Sequence, residues 1–159
     1  MHIDPLEKLW IYVVAFMVMV MFGSILYMAV ARNIHPPSNV ETVNSATLHL
    51  GGEFAEDNLG VKTNPDGSVR VTMVATRYGF YPQHIEVPAH KKVTFRMAST
   101  DVIHGVHIPR TNMSTMIVPG FVAEVSTVFT RPGEYPMLCN EYCGLGHDYM
   151  WSRVTVKGE

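Results

Sequence analysis

A twelve-residue stretch near the C-terminus carries four side chains that bind soft metal ions. It holds the two cysteines of the chain, Cys139 and Cys143, followed by His147 and Met150. Thiolate, imidazole and thioether donors select copper or zinc over hard cations such as Mg²⁺. Glycine and asparagine residues between these donors permit tight turns, so the loop can curl until the donors converge. The stretch therefore predicts a transition-metal site.

The donor types favour copper, and the number of cysteines favours two copper ions. Zinc needs a fourth strong ligand and gains little from the thioether of Met150. A mononuclear blue-copper site uses one cysteine, two histidines and a weak axial methionine, so this chain has one thiolate too many. The surplus thiolate is explained if both sulfurs bridge two copper ions, each of which then needs an imidazole. A small-loop disulfide between Cys139 and Cys143 is the alternative.

The second imidazole must come from another part of the chain, and the segment 101–107 offers two histidines. His104 and His107 are three residues apart, which places them on opposite faces of a strand. Only one of them can therefore point toward the cysteine loop. Spacing favours His104 and leaves His107 open.

A membrane anchor precedes the region that must position these ligands. Residues 9–31 are an uncharged, mostly apolar run of 23 residues, about 34 Å long as a helix and long enough to cross a bilayer. Asp4, Pro5 and Glu7 predict its N-cap, first helical position and capping-box acid. The Pro-Pro pair at 36–37 prevents its continuation. A cleaved signal peptide is the alternative, but the apolar block is too long for one and its N-terminal flank is not basic.

The rest of the chain predicts a β domain. Beyond residue 66, short runs of alternating apolar residues lie between Pro-Gly and Asp-Gly turn signals. This spacing, with no helical period outside the anchor, predicts a small all-β sandwich. Pro136 falls inside a predicted strand and needs an edge or a bulge, because it has no backbone donor. The predicted strands are 69–75, 85–88, 92–97, 122–129, 134–139 and 152–157, with another starting at His104. The predicted divisions are an N-terminal segment 1–8, an anchor 9–31, a linker and domain edge 32–66, and the β domain 67–159.

Charge excludes one class of partner. Beyond Ala31 the chain has eleven Lys and Arg residues against twelve Asp and Glu residues, a net charge of −1 with neutral histidines. Nucleic-acid binding requires a basic stripe, so we expect no nucleic-acid partner.

The metal-binding motif and its surroundings resemble subunit II of the heme-copper oxidases. The resemblance rests on Asp-Val-Ile-His-Gly at 101–105, on the Pro-Gly turns, and on Cys-x3-Cys-Gly-x2-His-x2-Met at 139–150. It covers about residues 69–156 together with the anchor. One N-terminal helix instead of two is similar to the B-type cytochrome c oxidases. The family's fold implies an all-β, cupredoxin-like Greek-key sandwich with one N-terminal transmembrane α-helix.

The resemblance also implies a binuclear copper centre of the CuA type. In that family two cysteine sulfurs bridge two copper ions, and each copper is completed by one imidazole and one further donor. Carried over to this chain, the bridging residues are Cys139 and Cys143, one copper takes His104 and Met150, and the other takes His147 and the backbone carbonyl of Glu141.

Further roles follow from the same resemblance. Asp101 matches a family position near the His104 ligand, where a hydrogen bond that orients the imidazole is plausible; an ordinary aspartate in a turn is the alternative. Many family members carry a tryptophan-rich strand at the surface where the electron donor docks. In its place this chain has Tyr78, Phe80 and Tyr81, with Tyr78 near the copper on the donor side. Our hypothesis is that these aromatic residues dock cytochrome c by apolar contact; core packing is the alternative.

The implied function is electron entry into a terminal oxidase. The chain would accept single electrons from cytochrome c at the CuA centre and pass them to the heme-bearing subunit I, where oxygen is reduced, so it has no catalytic residues of its own. It would be a single-pass protein of a bacterial or archaeal cell membrane, with the copper domain on the outer, periplasmic side. The alternatives are the CuA subunit of a nitric oxide reductase and a stand-alone, membrane-tethered copper electron carrier. A thioredoxin-like copper-delivery protein is disfavoured, because its βαβ pattern is missing.

Overall fold

The computed structural model describes residues 4–32 and 41–158, which belong to two compact units. The first unit contains one α-helix, α1, over Pro5–Ala31. Asp4 is its N-cap, as predicted, and the Oδ1 atom of Asp4 accepts a hydrogen bond of 2.8 Å from the backbone N–H of Leu6. Among the described residues, α1 is the one helix that is long and apolar enough to cross a membrane. The Pro-Pro pair at 36–37 lies outside the described residues.

The second unit is built from two five-stranded sheets. One sheet has the order β1-β2-β5-β8, with β3 paired to β2, and the other has the order β4-β10-β9-β6-β7. β2 pairs with β5 and β4 pairs with β10 in parallel, and the other pairs are antiparallel. The prediction of an all-β sandwich with one N-terminal helix is confirmed. The strands are β1 Gly60–Thr63, β2 Val69–Thr76, β3 Gly79–Tyr81, β4 His84–Pro88, β5 Lys92–Ser99, β6 His104–His107, β7 Ser114–Ile117, β8 Ala123–Val128, β9 Gly133–Leu138 and β10 Trp151–Lys157.

The core lies between the sheets and follows from the alternation of apolar residues along the strands. In β5, Val93, Phe95 and Met97 share one face, as predicted, and all three are fully buried. Their neighbours Thr94 and Arg96 lie on the other face and are only partly buried. Burying each large apolar side chain contributes about 1.5–3 kcal/mol. This core fixes the strands whose ends carry the metal-binding residues.

Residues 41–58, which lie within the predicted linker and domain edge, pack against the first sheet. They contain two 3-10 helices, Ser45–Leu50 and Glu56–Asn58. Leu48 and Phe54 are buried in a small apolar cluster with side chains from β2, β5 and the residue before β8. The second compact unit includes all the described residues from Glu41 onward. The domain therefore begins nearer the N-terminus than the predicted boundary at residue 66.

Strand β9 positions the metal-binding loop. It pairs with β10 along its length but with β6 only at Leu138, opposite His107. Pro136 faces Arg153 of β10 and is not paired with a residue of β6, so its missing N–H breaks no ladder bond. After Leu138 the chain leaves the sheet as the loop 139–150 and returns as β10.

Candidate metal centre

The predicted metal-binding residues meet at one end of the sandwich. The loop 139–150 is closed at its base, where the backbone N–H of Cys139 donates to the carbonyl of Met150 at 3.1 Å. His104 opens strand β6 beside this loop. The ligand atoms of His104, Cys139 and Cys143 lie within 4.8 Å of one another, and all three residues are buried. A cluster of one imidazole and two thiols suits copper or zinc, and the thioether of Met150 close to Cys143 favours copper.

The two cysteines are free thiols and not a disulfide. Their Sγ atoms are 3.9 Å apart, whereas a disulfide bond measures about 2.05 Å. Burial, together with the neighbouring Cys139 side chain, raises the pKa of the Cys143 thiol. A metal ion that binds this pair must displace its protons. The two sulfurs are thus close enough to bind the same metal ion, and both are shielded from water.

The remaining predicted donors surround the two sulfurs. The Sγ atom of Cys143 lies 3.5 Å from Sδ of Met150 and 3.6 Å from Nδ1 of His147. The Sγ atom of Cys139 lies 3.2 Å from the backbone carbonyl oxygen of Glu141. The structure therefore brings together the donors that the family resemblance implied, with His147, Met150 and the Glu141 carbonyl beside the two sulfurs.

His104 offers one nitrogen to a metal. Its Nε2 atom lies 2.9 Å from Oδ1 of Asp101, while its Nδ1 atom is buried and has no hydrogen-bond partner among the described residues. An unpaired buried nitrogen is costly unless a ligand satisfies it. Nδ1 of His107 is also buried and unpaired, but His107 does not belong to the cluster with the two thiols. The donor set therefore fits copper, and its geometry favours His104 over His107.

Asp101 joins His104 to a neighbouring turn. Besides the contact with His104, its carboxylate accepts hydrogen bonds from the backbone N–H of Val102 at 2.6 Å and of Arg77 at 2.7 Å. The hydroxyl of Thr76 donates to it at 3.2 Å. Burial acts to raise the pKa of Asp101, but the hydrogen bonds from His104, Val102 and Arg77 outweigh it and lower that pKa. The ionised carboxylate thus fixes both His104 and the turn after β2.

Gly105 also shapes the site, although the sequence singled it out only as the last residue of the Asp-Val-Ile-His-Gly motif. A β-carbon at this position would overlap Oδ1 of Asn140 and lie 3.0 Å from the backbone nitrogen of Glu141. The loop therefore passes directly over β6 next to His104. The only signal in the sequence was a glycine directly after a candidate ligand.

The predicted docking residues separate into exposed and buried ones. Tyr78 is 40% exposed, and Tyr81 is also exposed. Phe80 is only 1% exposed and belongs to the core, so its predicted role in docking is wrong. The reason is the alternation of side chains in β3, which turns Phe80 inward between two outward-facing neighbours.

Sequence reasoning missed other exposed apolar residues beside the ligands. Within the loop, Tyr142, Leu145 and Tyr149 all face solvent, and Leu145 is 94% exposed. The ring of Tyr142 lies against the imidazole of His147, with 5.8 Å between the ring centroids. Exposed apolar side chains grouped around a site mark a surface for a partner. The signal available in the sequence was that these residues stand between the predicted ligands, in a short loop that is too constrained to bury them in the core.

The fold and the site together define a class of protein. A cupredoxin-like β-sandwich with buried cysteine and histidine ligands at one end is a copper-binding domain. An N-terminal apolar helix accompanies this domain.

The chain belongs to the cytochrome c oxidase subunit II family. The family model described as "Cytochrome C oxidase subunit II, periplasmic domain" matches residues 67–157. A cytochrome c oxidase subunit 2 of Thermus thermophilus is 35% identical over 153 residues, which cover 95% of this chain and 91% of that one. A second Thermus thermophilus sequence of the same name is 38% identical over 122 residues, or 77% of this chain and 90% of that one.

Solved structures agree with this assignment. The chain resembles a chain from the cryo-EM structure of a heme-copper terminal oxidase dimer, with a TM-score of 0.77 and 28% identity. That match covers 96% of this chain and 100% of the other. The crystal structure of the periplasmic domain of subunit II of cytochrome oxidase from Bradyrhizobium japonicum shares the fold, with a TM-score of 0.53 and 17% identity. It covers 57% of this chain and 84% of that domain.

Proposed function

We propose that this chain receives single electrons from a cytochrome c at a binuclear CuA centre and passes them to the heme-bearing subunit of a cytochrome c oxidase. One observation carries the proposal: two free, buried sulfurs lie 3.9 Å apart, beside the unpaired Nδ1 atom of His104. Two thiolates at this separation can bridge a pair of metal ions, and the second cysteine, which a mononuclear blue-copper site does not use, favours the pair. Oxygen chemistry belongs to the other subunit, because the proposed site offers ligands and no catalytic side chains.

The residues of the chain prepare the site for electron transfer. A copper pair held by Cys139 and Cys143 would supply one-electron redox chemistry to this site. Cys139 and Cys143 hold the pair, and the ends of β6, β9 and β10 fix the ligands in place. Burial of His104 and Met150 excludes water from one side of the site. Asp101 holds the imidazole of His104 through Nε2, which leaves Nδ1 available to a metal ion.

The electron donor is proposed to dock by apolar contact around the loop 139–150. The exposed residues Leu145, Tyr149 and Tyr78 support this proposal, as does the small net charge of the chain beyond the anchor. Apolar docking depends little on ionic strength, whereas docking through opposite charges weakens as salt rises. A cytochrome c with an apolar rim around its heme edge fits this surface.

We propose that α1 is a retained, single-pass membrane anchor and that the copper domain lies on the periplasmic side. The solved oxidase chain aligns over 96% of this chain, which supports a helix that stays attached to the domain. The description of the matching family model supports the periplasmic location. The B-type assignment, which rests on the single helix, stays a prediction.

Affinity purification of the tagged full chain from its membrane tests the proposed function. A heme-bearing membrane subunit should copurify, and the complex should consume oxygen with reduced cytochrome c. Recovery of the copper-loaded chain alone would contradict the proposal in favour of a stand-alone carrier. A complex that reduces nitric oxide but not oxygen would contradict it in favour of a nitric oxide reductase. The relatives found by comparison are cytochrome c oxidase subunits and do not favour either alternative.

A further inference from the structure

The ring of Tyr78 lies along the backbone of the copper loop. A β-carbon built at Gly146 would lie 2.6 Å from both Cγ and Cδ2 of Tyr78. A β-carbon built at Gly144 would lie 2.9 Å from the Tyr78 hydroxyl oxygen and 3.1 Å from Cε1. The base of the ring therefore meets one glycine and its hydroxyl end meets the other. The aromatic ring spans the stretch of backbone between them.

The position of the Tyr78 ring explains why residue 146 is a glycine, although its backbone conformation does not require one. Gly144 has φ of +128°, which a side chain rarely adopts. Gly146 has φ of −95° and ψ of 14°, a conformation open to other residues. The space taken by Tyr78 is thus the reason that position 146 has no side chain. Leu145, between the two glycines, is 94% exposed and directs its side chain away into solvent.

The contact falls between two ligands. Gly144 directly follows Cys143, and Gly146 directly precedes His147. The ring of Tyr78 therefore packs on the backbone that sets the distance and direction from one proposed copper ligand to the next. A displacement of this backbone would move both the thiolate and the imidazole.

The backbone that carries Tyr78 is also held in place, through a hydrogen bond of the preceding residue. The backbone N–H of Arg77 donates to Oδ2 of Asp101 at 2.7 Å, and Oδ1 of the same carboxylate lies 2.9 Å from Nε2 of His104. One carboxylate thus fixes a ligand on β6 and the turn that carries Tyr78. The Tyr78 ring then extends this support to the loop that carries the other ligands.

We infer that Tyr78 is a positioning residue of the copper centre, in which its ring sets the path of the backbone from Cys143 to His147. The inference rests on the proposed binuclear centre but is separate from docking, since it concerns the face of the ring that the loop covers. The flat ring is the essential feature. Phenylalanine should replace tyrosine here, whereas a branched aliphatic side chain should not.

The test uses the full chain, purified in detergent and loaded with copper. The variants are Tyr78→Phe, Tyr78→Leu and Gly146→Ala, with Phe121→Leu as the matched control. Phe121 is 38% exposed, close to the 40% of Tyr78, and has no role in the proposed site. The readouts are the copper hyperfine pattern in electron paramagnetic resonance and the rate at which a chelator removes copper. Tyr78→Leu and Gly146→Ala should change the hyperfine pattern and speed copper loss by about tenfold or more, the scale of lost support around metal ligands.

The conservative variant and the control decide the interpretation. Tyr78→Phe and Phe121→Leu should match the wild type in both readouts. A Tyr78→Leu chain that matches the wild type in both would overturn the inference. If Tyr78→Leu does not fold, Gly146→Ala carries the test from the opposite side of the contact, and an unchanged pattern there overturns it.

Failure of the proposed function would be visible separately. A wild-type chain that binds no copper pair contradicts the proposed centre, and the contact is then tested by hydrogen exchange of the metal-free chain. Tyr78→Leu should speed exchange of the amides at 144–147, while Tyr78→Phe and Phe121→Leu should not. Equal exchange in Tyr78→Leu and wild type overturns the inference on its own.

Discussion

The Nε2 atom of His104 lies 2.9 Å from Oδ1 of Asp101, and this contact leaves Nδ1 as the imidazole nitrogen available to a metal. With Nε2 engaged, Nδ1 is left buried and without a hydrogen-bond partner. The same carboxylate accepts backbone hydrogen bonds from Arg77 and Val102, so it is itself firmly held. The orientation of His104 is therefore set before any metal binds.

Removing the charge of Asp101 should weaken copper binding without unfolding the domain. Asp101→Asn keeps the size of the side chain but weakens its hydrogen bond to the imidazole, and copper affinity should fall about 10–100-fold. Competition with a chelator of known affinity measures this change. Asp66→Asn is the matched control, because Asp66 lies in a turn and bonds to Ser68; its affinity should equal that of the wild type. Equal affinities for all three chains would contradict the role given to Asp101.

The choice between the two histidines is tested by a pair of substitutions. His104→Asn should lose copper from the centre, because His104 clusters with both thiols. His107→Asn should keep full copper content, because His107 is not part of that cluster. Metal analysis of the purified chains, together with their absorption spectra, measures the outcome. Loss of copper from His107→Asn but not from His104→Asn would reverse the assignment.

A charge on the exposed surface of the loop should weaken docking of the donor. Leu145 is 94% exposed, so Leu145→Lys should leave the fold and the copper spectrum unchanged. The Michaelis constant for cytochrome c should rise about tenfold, since burying a leucine at an interface is worth about 1.5 kcal/mol. Steady-state oxidation of cytochrome c by the complex, over a range of salt concentrations, measures this effect. Leu50→Lys, at another exposed leucine, is the control; an equal rise in both variants would contradict docking at the loop.

Arg96 should contribute to stability and not to copper binding. It forms ion pairs of 2.6–2.7 Å with Glu41, Glu53 and Glu124, and its side chain is only 14% exposed. Arg96→Met leaves three neighbouring carboxylates unpaired and should lower the free energy of unfolding by about 1–3 kcal/mol, since the glutamates are partly screened by water. Denaturant unfolding of the metal-free chain measures the loss.

The pH dependence of the stability that Arg96 contributes follows from the direction in which its pKa is shifted. The hydrogen bond with Glu53, followed by those with Glu41 and Glu124, raises the pKa of Arg96 despite the opposing effect of burial. A raised pKa means that this stability is fully present below the ordinary arginine pKa and is lost only as the pH rises through the still higher value in the folded chain. The difference between wild type and Arg96→Met should therefore be constant from neutral to mildly alkaline pH. A difference that vanishes across that range would contradict the account.

The sequence predicted the sandwich and the donor types because both depend on local patterns. Alternation in β5 correctly placed Val93, Phe95 and Met97 on one buried face. Cys139, Cys143, His147 and Met150 could be grouped because they share one short loop. Family resemblance then supplied Glu141, whose side chain gives no sign that its carbonyl is near a sulfur.

The features that the sequence did not predict depend on contacts between segments that are distant in the chain. Leu48 and Phe54 stand in a polar stretch without periodicity, and they are buried only because a sheet surface meets them. Phe80 was grouped with its aromatic neighbours, since three residues are too few to show a strand's alternation. The contact between Tyr78 and Gly146 joins residues far apart in the chain. No pattern along the sequence connects such a pair.

The proposed function requires that Cys139 and Cys143 each bind both ions of a copper pair. The most direct test determines copper per chain and the electron paramagnetic resonance spectrum of the same copper-loaded, full-length sample. We expect two copper ions per chain that share one unpaired electron, and only a single copper in Cys143→Ser. One copper per wild-type chain, or a purified chain in which Cys139 and Cys143 form an oxidised disulfide that cannot take up copper, would contradict it.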